Sequence, residues 1–487
     1  MNAMNDKWYS GMARTEDWWA VWLGLIMFMA SVSSLWGWEL TGWMAKPETW
    51  VWEKFSIEGV LKSSGKPEWH PALSLLVTYL VFTALTCLAA WSMKFDLKQF
   101  FIGWTILFIM TWVIWIIGNE AHFKASVYEM DKYGLSWGLS LGSGFSYLLA
   151  LLVGLVIGNF FKNTARFLNE AAKPEWFIKT AIVFLGIKIG VMSIEAAGFI
   201  TELVMTGVAA TFVADMPFWP IVYALCRRVF QLSRDAASIL SSGISICGIS
   251  AAIATAGAIR ARPALPAFVS ILVVIFAMFE LIILPGFYTT IAPEQPIFNG
   301  SALGLTVKTD GADAAAGAML DELMRANAEA NLGIVWKEGW ILMASLTTKI
   351  WIDMFIGVWA FVLALVWVYK VERKPGQSKI GPMEIWHRFP KFVLGYLLVW
   401  FSYIMLASSG SEAAETLHKA AAAVEGPMRN MMFMLTFISI GIITDFSKLK
   451  GMGKLALLYA IALFGIIAPI AYGVAWIFHR GMMPPVL

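Results

Sequence analysis

SSGISICGISAAIATAGAIRAR spans Ser241–Arg262. The stretch is apolar enough to enter a membrane. Yet it is built from Gly, Ala and Ser around one Cys, and it ends on two arginines. Gly and Ala let a backbone break or pack closely. A broken backbone at membrane depth is tolerated only where protein buries it or water lines it. Half-helix N-termini at such a break leave free N–H groups that can hold an anion. The competing reading is close helix packing through small-xxx-small contacts. A second small-residue segment, NGSALGLTVKTDGADAAAGAML at Asn299–Leu320, carries Lys308, Asp310 and Asp313. Two interrupted segments together favour a binding site, as in secondary transporters.

The surrounding chain supports a membrane setting. It has 487 residues, 59% hydrophobic and 14% charged, with a mean hydropathy of +0.69. Apolar windows long enough to cross a bilayer core recur at 18–38, 72–91, 100–118, 147–160 and 455–476. The 25 Trp residues suit membrane–water interfaces, and Trp18, Trp19, Trp36 and Trp38 bracket the first apolar run. The expected class is an all-α polytopic membrane protein. A net charge of +3 says nothing for nucleic acid. Three cysteines, Cys87, Cys226 and Cys247, lack disulfide or zinc spacing. The N-terminus has no small-residue cleavage site, so the first apolar run reads as a membrane helix rather than a removed signal.

Lys and Arg concentrate in cytoplasmic loops. With Lys7 and Arg14 inside, the loop carrying Lys94 and Lys98 is inside too. The same holds for Lys162, Arg166 and Lys173, and then for Arg227, Arg228 and Arg234. If 237–258 enters and returns, Arg260 and Arg262 stay inside, and a helix at 264–286 exits to the Lys- and Arg-free loop 287–299. The charges favour this re-entrant course over a full crossing. Later helices are expected at about 340–369, 392–408, 430–446 and 455–476. The predicted setting is a bacterial cytoplasmic membrane with the N-terminus inside.

LGIKIGVMSIEAAG (Leu185–Gly198) echoes IGIITDFSKLKGMG (Ile440–Gly453). Gly186 meets Gly441 and Gly198 meets Gly453 at one offset. The charge count orients the two copies oppositely, and inverted repeats mark secondary transporters. TAGA at 255–258 and AAGA at 315–318 form a second pair, in an order that simple tandem duplication does not explain.

The ICGISAAIATAGAIRA run resembles the ICGASA-type motif of a family labelled YeiH-like sulfate exporters. LGIKIGVMS and GIITDFSKLKGMG resemble that family's glycine-rich helix ends, and LTTKIWID and FPKFVLGYLL resemble further segments. The resemblance covers about 142–478. It leaves 1–141, with about three extra transmembrane helices and the loop Glu39–Pro71, as an extension of unassigned role before a core at 142–487. The resemblance implies the cation–proton antiporter and anion transporter superfamily. That means two inverted repeats, interrupted helices crossing at mid-membrane, and a core moving against a scaffold in a homodimer. In that architecture Ser241–Ala258 would cross, against the charge-based preference. Where the family has a His-Asp pair this chain has Lys308-Thr309. Where it has Lys then Arg one turn on, this chain has Lys349 followed by Ile352 and Asp353.

Ionisable residues inside spans default to function. Lys188 is a candidate to neutralise an anion, or else it snorkels to the outer interface. Lys308 suits an oxyanion, against a solvated lysine paired with Asp310 or Asp313. Lys349 and Asp353 share a helix face and read as an internal ion pair. Glu280, Asp313 and Asp353 are candidates for proton or sodium coupling. Asp215 flanks a helix break expected at Pro217 and Pro220. Asp445 reads as a cap or a partner of Lys448. Ser245, Ser250 and Thr306 offer hydroxyls beside Gly248, and Cys247 reads as a small apolar residue, with no His near it in sequence.

No nucleotide loop, metal-ligand cluster or catalytic constellation appears. The expected function is therefore secondary active transport of a small anion, sulfate or another sulfur oxyanion, without a cofactor. The alternatives are a cation–proton antiporter of the same architecture and a non-transporting membrane subunit.

Overall fold

The computed structural model describes residues 11–486, apart from 67, 126–129, 140–143, 196, 260, 262–263, 368–385, 387–389 and 450. Arg260, Arg262 and the basic set Lys370, Arg373, Lys374, Lys379 and Arg388 lie outside the described residues. So do the side chains of Ser250, Asp310 and Asp353, whose backbones are helical. Among the described residues, seven helices are long and apolar enough to cross a membrane. An eighth candidate is a pair bent by 116° near Phe161.

Among the described residues the extension contributes three long helices: α1 (Glu16–Val32), α2 (Pro71–Ser92) and α3 (Leu97–Gly118). Each start is chemically marked. Thr15 accepts from Trp18 N, Pro71 stands in the first turn of α2, and Asp96 accepts from Gln99 N. The loop after α1 departs from the all-α expectation. There β1 (Ala45–Pro47) pairs antiparallel with β2 (Leu61–Ser63). Peptide groups outside helices still need partners; the strands supply them, and Ala45 N also donates to Thr78 Oγ1 of α2 at 3.0 Å.

The core follows as α4 (Gly144–Phe160), α5 (Pro174–Glu195) and α6 (Ala197–Ala224). The expected break at Pro217 and Pro220 is absent, because both prolines lie inside α6. In a packed membrane helix, neighbouring groups re-satisfy the backbone a proline frees. The next long helices are α7 (Arg234–Ser242), α8 (Ile249–Ala258), α9 (Ala264–Ile291), α10 (Pro296–Thr306), α11 (Asp310–Leu332) and α12 (Trp340–Val366). After them come α13 (Lys391–Ala407), α14 (Ser411–Ile443), α15 (Gly453–Ala462) and α16 (Ala468–His479).

Helix α14 begins well before the expected residue 430. Its first turns are held by spaced charges rather than apolar residues. Glu415 pairs with Lys419 at 2.7 Å and Glu425 with Arg429 at 2.5 Å, each four residues apart.

Glycines seat the central helices. A Cβ on Gly441 of α14 would lie 2.5 Å from the Leu151 carbonyl of α4, and one on Gly186 of α5 would lie 2.6 Å from the Tyr396 carbonyl of α13. The two glycines of the sequence echo therefore do the same work, one in the α4–α14 pair and the other in the α5–α13 pair. Gly198 and Gly453 have no such close neighbour. The extension is docked on this core. Gly24 of α1 lies against Val183 of α5, Asp17 pairs with Lys179 at 2.8 Å, and Asp17 accepts from Lys391 N at 3.0 Å.

Candidate functional site

Both small-residue segments are helical hairpins. A Cβ on Gly243 would stand 3.5 Å from the Ala252 Cβ. Nine residues of straight helix would separate them by about 13 Å. The chain therefore reverses between α7 and α8, through a π-helical turn at Gly243–Cys247 and Gly248 at φ +62°. Only glycine adopts that conformation readily. The second reversal joins α10 to α11 at Val307–Thr309. Asn299 Nδ2 lies 3.1 Å from Met324 Sδ, although the two are 25 residues apart. Both hairpins pack against α12. TAGA and AAGA occupy matching places in the two returning arms, since Gly257 and Gly317 each lie nine residues beyond Gly248 and Lys308.

The tips meet. A Cβ on Gly248 would fall 2.9 Å from Thr309 Cγ2 and 3.1 Å from the Lys308 carbonyl. Lys349 of α12 bridges the junction, its Nζ donating to the Ile246 carbonyl at 3.3 Å and the Lys308 carbonyl at 3.5 Å. Lys308 turns back on its own hairpin and donates to the Leu305 carbonyl at 2.5 Å. Its Nζ lies 3.6 Å from Asp215 Oδ1 of α6 and 4.6 Å from the centre of the Phe218 ring. The two lysines thus cap the carbonyl ends of the incoming arms, where the helix dipole is negative. The N-terminal ends of α8 and α11 point to the same junction. Thr309 Oγ1 caps α11 by accepting from Ala312 N at 3.3 Å.

Carboxylates surround the tips. Glu280 of α9 is buried and Asp215 is partly exposed with its carboxylate oxygens covered; among the described residues neither Asp215 oxygen nor Glu280 Oε1 has a hydrogen-bond partner. Asp313 Oδ1 accepts from Ser345 Oγ at 2.6 Å. Glu280 is within electrostatic reach of Lys308, Lys349 and Asp313. Among the described residues fully buried Ser245 Oγ has no hydrogen-bond partner, while Thr306 Oγ1 lies 3.1 Å from Tyr288 Oη. Three carboxylates thus face two lysines among the described side chains. With all five charged, the junction carries one net negative charge.

The structure gathers Ser245, Cys247, Gly248, Thr306, Lys308, Asp313 and Glu280 around the tips. It does not bring Lys188 there. Lys188 lines a separate cavity beside Glu338 and Arg429. Among the described side chains the partner of Lys308 is Asp215 rather than the nearby Asp313 of the sequence reading, because α6 packs across the tip; the Asp310 side chain lies outside the described residues. Asp445 pairs with Lys162 at 2.6 Å, since α4 and α14 end side by side, and accepts from Ser447 N at 3.0 Å as the capping reading expected; the side chain of Lys448 lies outside the described residues. Sequence reasoning left Asp215 at a helix break; the Lys349–Asp353 pair that it expected involves a side chain outside the described residues. The available signal for Asp215 was its charge within an apolar span.

The fold and the junction define a polytopic helical membrane protein with two hairpins meeting tip to tip inside the bundle. A family model described as Conserved hypothetical protein 698 matches residues 140–460, and the chain belongs to that family. It is 98% identical, over all 487 residues of both chains, to a UPF0324 membrane protein of Nitrosomonas europaea. A UPF0324 membrane protein of Nitratidesulfovibrio vulgaris is 30% identical over 431 residues, which is 85% of this chain and 66% of that one. An uncharacterized protein of Archaeoglobus fulgidus is 47% identical over 164 residues, 29% of this chain and 87% of its own length.

Proposed function

We propose that this protein is a secondary active transporter working by alternating access, with the hairpin junction as its central site. The observation that carries the reading is the tip-to-tip meeting of two helical hairpins among buried charges. Reversals of this kind leave non-helical backbone deep in the bundle, which is stable only when buried by protein or lining a water-filled path. Paired half-helix ends at one point are the arrangement by which transporters hold ions and substrates. The matched roles of Gly186 and Gly441 support an inverted-repeat ancestry.

The cargo we propose is a small anion, sulfate or a related sulfur oxyanion. It is held by the N-terminal ends of α8 and α11, with Ser245 and Thr306 beside it and Lys308 released from Asp215. The excess carboxylate supplies the coupling: a proton or sodium ion taken up at Glu280, Asp215 or Asp313 neutralises the junction as the anion enters. We place the protein in the bacterial cytoplasmic membrane as a homodimer, with its N-terminus inside, and assign it no enzymatic step. The same carboxylate excess favours a second reading, cation–proton exchange without an anion.

Reconstitution in liposomes tests this. Radiolabelled sulfate uptake is expected to saturate and to follow an imposed pH or sodium gradient. Glu280→Gln is expected to remove the gradient dependence by at least tenfold. Uptake of a cation against a proton gradient, with no sulfate flux, would transfer the assignment to the second reading. Flux indifferent to every gradient would refute both.

A further inference from the structure

Helix α4 stops at Phe160, where its end is clasped to the end of α14. A Cβ on Gly158 would lie 2.6 Å from the Gly441 carbonyl, so a glycine is needed for the two helices to come this close. Asn159 Nδ2 donates to the Thr444 carbonyl at 3.0 Å, and Asn159 Oδ1 accepts from Phe446 N at 3.0 Å. The chain breaks at Phe161 and continues as a short helix, Lys162–Leu168, bent by 116° from α4. A helix turned so far from a spanning one runs along the membrane surface rather than through it. The rings at the bend are uncovered: Phe160 is 80% exposed and Phe161 57%.

A cavity of about 290 Å³ opens between this helix and the end of α14. Lys162, Arg166 and Asn169 line it from one side, and Ile442, Ile443 and Asp445 from the other. Its polar groups are only partly spent. Lys162 Nζ donates to the Gly158 carbonyl at 3.0 Å and to Asp445 Oδ1 at 2.6 Å, which uses two of an ammonium's three N–H groups. Neither the Arg166 guanidinium nor the Asn169 amide has a partner among the described residues. The next charges along the chain are engaged elsewhere. Glu170 accepts from Asp96 N at 3.1 Å, and Lys173 Nζ lies 4.7 Å from the centre of the Phe95 ring. Among the described side chains, two cations and one carboxylate thus leave one positive charge, the complement of a single phosphodiester. Sites that enclose a whole drug-sized ligand run from about 300 to 1,000 Å³, so this cavity suits a headgroup whose acyl chains stay outside, against Phe160 and Phe161. The lysine and arginine distribution makes this face cytoplasmic, the side on which basic pockets meet anionic headgroups.

We infer that this cavity holds the phosphate of an anionic phospholipid, with Arg166 as its main ligand and Lys162 and Asn169 beside it. The site is separate from the hairpin junction, and binding here does not require that transport occurs.

The test titrates the full-length protein in detergent with a fluorescent phosphatidylglycerol and follows its displacement. Unlabelled phosphatidylglycerol is expected to displace it saturably, and phosphatidylcholine at least tenfold more weakly. Glycerophosphoglycerol, the same headgroup without acyl chains, is expected not to compete. Arg166→Gln is expected to weaken phosphatidylglycerol binding at least fivefold, and Arg166→Lys to stay within threefold, which separates loss of charge from misfolding. Arg228→Gln, which removes an exposed arginine after α6 and outside the cavity, is expected to leave the affinity unchanged. Equal displacement by phosphatidylcholine, or parental affinity in Arg166→Gln, overturns the lipid site. So does equal displacement by glycerophosphoglycerol, which would give the cavity to a soluble phosphate. An equal loss in Arg228→Gln overturns it too, by reducing the binding to diffuse attraction between charges.

Discussion

Replacing Gly248 with alanine places a methyl group where the two hairpins touch. The backbone there stands at φ +62° and ψ −120°, a region in which an L side chain costs about 1–3 kcal/mol. The new Cβ would also lie 2.8 Å from Val273 Cγ1 and 2.9 Å from Thr309 Cγ2. Overpacking of this kind costs about 1–3 kcal/mol. The two effects together disfavour the closed tip by about 2–6 kcal/mol.

Cys247 supplies the assay, because it is the neighbouring residue and only 4% exposed. In a background of Cys87→Ser and Cys226→Ser it is the remaining thiol of the chain's three cysteines. Maleimide labelling in detergent then reads how often the tip opens. The lower bound of about 2 kcal/mol corresponds to labelling roughly 30-fold faster in Gly248→Ala. Membrane insertion should be unaffected. A labelling rate within twofold of the parent would refute the tip-to-tip geometry, since an unstrained, unpacked glycine would accept the methyl group freely.

Two further predictions concern the frame that holds the tips. Asp321 accepts from the amides of Gly339, Ile341 and Leu342 at 3.0–3.3 Å and so caps the start of α12. Asp321→Ala should cost about 3 kcal/mol and lower the thermal unfolding midpoint in detergent, with Asp321→Asn losing less. Gly441→Ala should part α4 from α14, because the added carbon meets backbone atoms at 2.5 and 2.6 Å. A loss of about 3 kcal/mol is expected, whereas Gly473→Ala, with no atom within 4 Å, should be neutral or stabilising.

Much of this was legible in the sequence, for identifiable reasons. Apolar runs of bilayer length report spans directly, because every backbone polar group in lipid must be satisfied within the segment. That reasoning located α1, α2 and α3. The re-entrant course of Ser241–Ala258 followed from where the arginines fall, and the observed reversal at Gly248 agrees with it. The crossing that the family resemblance implied is not what the hairpin does. The first half of α14 was missed because charged pairs spaced four apart make a helix without making an apolar window. The unbroken α6 was missed because a proline's local effect depends on what packs around it.

The sequence by itself determined which residues are out of place in an apolar span: Lys188, Asp215, Glu280, Lys308 and Lys349. It also marked the two segments too rich in small residues to be ordinary helices. Only the tertiary structure decided which of these belong together. Lys188 and Lys308 look alike in sequence, yet one lines a cavity shared with the extension and the other lies at the hairpin junction. Asp215 meets Lys308 across 93 residues because α6 packs against the second hairpin. Periodicity and charge act over a turn or a loop, so they are written locally. The pairing of buried charges is set by which helices touch, and that depends on the packing of the whole bundle at once.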